Sequence, residues 1–169
     1  MRASQASWPW RALLVAGSIT LIGAVESPQP GGTPANAPPE LTGGGGAATA
    51  CVDSRLRWNH TGIRLESGHR YLIEAQGIWW DAGYRHGPGG GESATFFLGA
   101  LERFRRVPKA PWFELICALD SRQDTAFRAG CRKEYDAREN GELTCYANDV
   151  WIFYCNNTGK IEIKVRRIG

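Results

Sequence analysis

Residues 51–169 are predicted to form an all-β domain, an antiparallel β-sandwich or jelly roll. Three observations point there. The closing run Lys160-Ile161-Glu162-Ile163-Lys164-Val165-Arg166 alternates strictly, with Ile161, Ile163 and Val165 on one face and the charges on the other, the period of a half-buried strand. Further runs of strand length recur at short intervals, separated by Gly, Pro, Asn and Asp turn signals. The region also lacks the apolar periodicity of an amphipathic helix.

Taken in order, the first run is Leu56 to Leu65, carrying Trp58, and Glu66-Ser67-Gly68-His69 reads as a turn. Tyr71 to Asp81 follows, with Tyr71, Ile73 and Ala75 facing a core. Residues 82–111 form a long insertion, first Gly-rich and then basic. Within it, Gly87-Pro88-Gly89-Gly90-Gly91 is expected to exclude regular structure, and Phe96-Phe97-Leu98 to supply one apolar anchor. Trp112 to Leu119 is apolar on both faces except at Glu114, as a central strand should be, with Phe113, Leu115, Cys117 and Leu119 sharing one face. Asp120 to Asp124 reads as a turn and Phe127 to Gly130 as a short strand or bend. The charged run from Glu134 ends in Asn140-Gly141, a hairpin signal. Gly141 to Asp149 then delivers Asp149 at a strand end.

The first fifty residues have a different character. Arg2 and Arg11 lead into an apolar run from Ala12 to Val25, short for a membrane span and suited to a signal-peptide core, with cleavage after Ala24 or Ser27 and an uncleaved anchor as the alternative. Residues 26–50 are rich in Pro, Gly, Ala and Thr and read as a flexible tether. These features place the protein in a secreted, periplasmic or envelope setting, without stable membrane insertion once a leader is removed. A net charge of +3 is too weak to argue for nucleic acid. Five cysteines in an exported chain favour disulfides, with one left over. Cys117 with Cys131 and Cys145 with Cys155 are candidate pairs, and spacing leaves the connectivity open. No cysteine or histidine spacing matches a zinc site.

The densest polar chemistry lies in Asn148-Asp149-Val150-Trp151-Ile152-Phe153-Tyr154-Cys155-Asn156-Asn157-Thr158-Gly159. Asp149 offers carboxylate oxygen, Asn156 and Asn157 offer amide oxygen, and a loop bent on itself offers main-chain carbonyls. Such a set of hard oxygens suits Ca²⁺. The same residues also make an ordinary polar turn.

The pattern Asn-Asp-Val, a short spacer, Tyr-x-Asn-Asn-Thr-Gly and a final alternating strand resembles the PA-I-like, galactophilic family of soluble bacterial galactose-binding lectins. The resemblance covers roughly residues 56–169, and its earlier half rests on the Ala75-x-Gly77-x-Trp79 rhythm. It implies a galactose-binding-domain-like sandwich, a bound Ca²⁺ and a sugar docked on the metal. By position, it implies Asp149, Asn156 and Asn157 as side-chain ligands, Phe153 as a main-chain carbonyl ligand, and Asp81 at the strand-end ligand position. About five to six protein oxygens would leave roughly two positions for vicinal sugar hydroxyls. The expected sugar-contacting set is Asp149, Val150, Phe153, Asn156 and His86, with Trp79, Trp80 and Trp151 as further rings able to pack on a pyranose. The family's His-Pro-x-Gln segment has no counterpart here. The family also assembles into multimers, which implies a homo-oligomer binding galactosides or glycoconjugates.

Catalysis is not expected. His60, His69 and His86 are scattered, and no Ser sits in a Gly-x-Ser-x-Gly elbow. The competing expectation is a non-lectin sandwich in which calcium stabilises a loop and the surface serves envelope or protein contact.

Overall fold

A computed structural model of the protein describes residues 46–91, 99 and 101–169. The leader, the tether up to residue 45 and the Phe96-Phe97-Leu98 anchor lie outside the described residues. No helix among the described residues is long and apolar enough to cross a membrane.

The described residues form ten strands: β1 (Ala47–Asp53), β2 (Asn59–Leu65), β3 (Arg70–Asp81), β4 (Tyr84–His86), β5 (Gly89–Gly91), β6 (Trp112–Leu119), β7 (Phe127–Arg128), β8 (Arg132–Asp136), β9 (Gly141–Ala147) and β10 (Asn157–Arg167). One sheet runs β1-β10-β3-β4, with β8 also on β3; the other runs β2-β9-β6-β5, with β7 also on β6. All pairings are antiparallel. The predicted all-β sandwich is therefore the fold.

The core lies between the sheets. Val52, Ile73, Trp79, Ile161, Ile163 and Val165 from the first meet Ile63, Leu65, Phe113, Leu115, Leu119 and Leu143 from the second. Each fully buried aliphatic side chain of this kind contributes about 1.5–3 kcal/mol. The alternation read in β10 holds, since Ile161, Ile163 and Val165 are buried while Lys160, Glu162 and Lys164 are exposed. Every residue of β6 is buried. Its far face packs Ile116 against Ala110, Tyr146 and Tyr154, with Trp58 over them.

Four expectations are corrected. The first strand begins at Ala47 and pairs with β10, so the last residues read as tether belong to a sheet edge. Gly89–Gly91, expected to be irregular, is β5 and pairs with β6, because a ladder needs only main-chain groups. A Cβ at Gly90 would strike the Trp112 carbonyl oxygen, so glycine is what lets the strands approach. Asn140-Gly141 closes no hairpin: β8 pairs with β3 in one sheet and β9 with β6 and β2 in the other, so the chain crosses between sheets there. Finally, Cys117 is bonded to Cys145, its direct opposite on the neighbouring strand, with Cα atoms 4.1 Å apart. Neither candidate pair forms, and Cys51, Cys131 and Cys155 are free and exposed.

Candidate functional site

The ends of β3, β9 and β10 meet at one rim. Asp81 closes β3 on the inward-facing side of Trp79, two residues earlier, and lies directly opposite Asn157, the first residue of β10. Two residues past the end of β9 comes Asp149. Its Oδ2 accepts a hydrogen bond of 3.0 Å from Asn157 Nδ2, and its Oδ1 accepts one of 2.6 Å from the Val150 amide. Asn156 Nδ2 donates to Asp81 Oδ1 at 3.0 Å. The structure thus gathers Asp81, Asp149, Asn156 and Asn157, which lie as far as 76 positions apart in the chain, into one cluster.

The cluster is largely dry. Asp81, Asp149 and Asn157 are buried, while Asn156 is exposed. Burial raises Asp149 from the ordinary 3.8 to about 6, opposed by its hydrogen bonds from Asn157 and Val150 and reinforced by the nearby charge of Asp81. Burial also raises Asp81, against the opposing effects of His86 and the Asn156 amide. Two carboxylates therefore repel each other in a low-dielectric pocket. Asn157 Oδ1 is buried with no hydrogen-bond partner. An orphaned amide oxygen beside two buried acids is the donor set a hard cation satisfies.

The remaining predicted residues fall around this cluster. The Phe153 carbonyl accepts the Asn156 amide at 3.2 Å within the short turn Tyr154–Asn156. A carbonyl has a second lone pair. Val150 is buried, paired across an isolated bridge to Arg105. His86 comes from β4, half-buried and stacked on Phe113 with ring centres 5.0 Å apart. Burial lowers its pKa, and Asp81 pulls in the opposite direction. Of the tryptophans, Trp79 is fully buried, whereas Trp80 and Trp151 are exposed.

No protein-family model and no curated protein sequence matches the chain. Its fold is similar to that of a solved chain described as "EclA N-terminal domain; PllA-like lectin". The TM-score is 0.55 at 20% identity, covering 72% of this chain and 96% of that one. At this identity the likeness is one of fold.

Two supports of the rim were not anticipated. Asn148, fully buried, uses its whole amide on main-chain groups. Its Nδ2 donates to the carbonyls of Val107, Ala110 and Pro111 at 3.0, 3.1 and 2.9 Å, and its Oδ1 accepts the Val107 amide at 3.0 Å. It ties the end of the insertion to the residue before Asp149. Ser54 holds the other side, its carbonyl accepting from Asn157 Nδ2 at 3.1 Å and its hydroxyl donating to the Gly159 carbonyl at 3.1 Å. Asn148 was visible as a polar residue before an acid, but its partners are carbonyls, which no residue type advertises.

Proposed function

We propose that the protein is a calcium-dependent lectin for galactose-type sugars. In this reading Asp81, Asp149, Asn156, Asn157 and the Phe153 carbonyl hold the ion. The observation that carries it is the cluster of two buried carboxylates with the partnerless Oδ1 of Asn157 at the sandwich rim. A divalent cation relieves the mutual repulsion of Asp81 and Asp149 and gives the orphaned oxygen a partner. Calcium's open positions supply the attachment point for two adjacent hydroxyls of the sugar. The chain's part is to hold its oxygens in place. Asn148 fixes the base of the loop, Ser54 fixes Asn157, and Asn156, which is exposed, would be the residue to meet a sugar hydroxyl. Likeness of fold to a chain described as a lectin supports carbohydrate binding in general. The buried Cys117–Cys145 bond favours an oxidising compartment, outside the cytoplasm.

The test is retention on a galactose-bearing resin, which calcium should promote and a chelator reverse. A second reading is a calcium-stabilised sandwich that contacts an envelope component or another protein. It is favoured by exposed Trp151 and Ile152 at the tip of the same loop. A protein that binds calcium but ignores a broad glycan array decides for that second reading.

A further inference from the structure

Three loops at this rim are laced together by arginine. Arg57 Nε donates to the Trp151 carbonyl at 2.9 Å, and its guanidinium lies 5.3 Å from the Trp151 ring. Arg106 donates to the Arg57 carbonyl and sits among the rings of Tyr146, Trp58 and Trp151 at 3.3, 4.2 and 4.7 Å. Arg105 bridges to Val150, and Arg55 Nε donates to the Asn157 carbonyl at 3.1 Å. Residues 54–58, 101–111 and 149–156 therefore form one contiguous surface.

Its protruding side chains are apolar: Leu56, Phe104, Trp151 and Ile152 are 51%, 53%, 46% and 67% exposed. They come from all three loops and are interleaved with basic residues, as in Arg55-Leu56-Arg57 and Arg103-Phe104-Arg105. Residues 54–58 and 101–111 expose Arg55, Arg57, Arg103 and Lys109 against Glu102, while Arg105 is buried, Arg106 is half-buried among the rings, and the acid of the third loop, Asp149, is buried. Among the hydrogen bonds of the described residues, Arg55 and Arg57 use only Nε. The terminal nitrogens of each guanidinium are then the natural donors to phosphate oxygens.

We propose that this rim docks on an anionic lipid bilayer, with the apolar tips entering the headgroup region and the arginines meeting lipid phosphate. Separate apolar tips ringed by guanidinium groups match the depth profile of a bilayer interface, where apolar groups insert and basic groups stay at phosphate level. The surface lies beside the proposed cation site but needs neither cation nor sugar.

The test uses the full chain in chelator, with no sugar present, mixed with vesicles of phosphatidylcholine alone or with added phosphatidylglycerol. The protein should co-sediment with the anionic vesicles and not with the neutral ones. Brominated lipid should quench its tryptophan emission. Ile152→Asp and Arg103→Glu should each lower partitioning at least fivefold at unchanged melting temperature. Failure to sediment, equal sedimentation with neutral vesicles, or sedimentation untouched by both substitutions overturns the proposal. So does binding to soluble dextran sulfate without bromolipid quenching, which assigns the patch to a polyanion. Self-association abolished by Ile152→Asp in the absence of lipid assigns it to a second copy and overturns the proposal too. Because calcium and galactoside are absent throughout, failure of the lectin reading does not change these outcomes.

Discussion

Asp149 carries the largest electrostatic cost at the rim. Its carboxyl titrates near 6 in the fold against 3.8 ordinarily. Between these values the folded state binds more protons than the unfolded one. In metal-free protein the contribution is therefore fully present below pH about 4 and is lost as pH rises through about 6. A shift of this size corresponds to on the order of 3 kcal/mol. Chelator-treated protein should thus lose stability between pH 4 and 6.5 by urea melts, and calcium at neutral pH should restore it. Asp149→Asn removes the repulsion with Asp81. Both carboxylate oxygens accept from N–H donors, so the new amide nitrogen faces one of them, and the variant is read by loss of the calcium-dependent rise in melting temperature at pH 7.5. Asn148 makes a contrasting case, since it is neutral and its energy lies in hydrogen bonds. Asn148→Ala takes their side-chain partner from the buried Ala110 carbonyl and the Val107 amide, while the Val107 and Pro111 carbonyls keep the amides of Ala110 and Glu114, and it should destabilise by about 1–3 kcal/mol, read as a lower urea midpoint.

At the scale of elements, the Cys117–Cys145 bond joins the two central strands of one sheet across 28 positions. Closing a loop of that length stabilises by about 3–4 kcal/mol in the chain-entropy account. Cys117→Ala with Cys145→Ala should lower stability by about this much in denaturant melts, because the unfolded chain regains the freedom that the bond removes. Both cysteines are fully buried, so native protein should resist mild reductant until it opens. This pairing was not legible in the sequence: it depends on the β6–β9 register, and register is a property of two strands, whereas spacing is a property of one. The same reason hid the partner of β8, which a hairpin signal at Asn140-Gly141 assigned to the wrong sheet. Elements whose burial is written in their own side chains were legible. The alternation of β10 and the doubly apolar β6 both stand where the pattern put them. β5 was not legible, because glycine has no side chain to announce a strand.

Across the whole molecule, the convergence of Asp81 with the 148–159 loop came from family resemblance, because composition carries no information about distance. The structure places Asp81 opposite Asn157 and Asn157 against Asp149, so the sandwich brings the candidate ligands together through strand order alone. Two sheets with β3, β9 and β10 ending at one rim are enough to assemble the cluster. If the lectin proposal holds, the Asp149→Asn protein should also pass unretained through a galactose resin while keeping its far-ultraviolet circular dichroism. The central claim, that the rim holds a divalent cation, is tested most directly by calorimetric titration of calcium into chelator-stripped protein at pH 7.5. The account predicts saturable binding at one site that disappears in Asp149→Ala. No heat and no shift in melting temperature at millimolar calcium, or the same isotherm from Asp149→Ala, would contradict it.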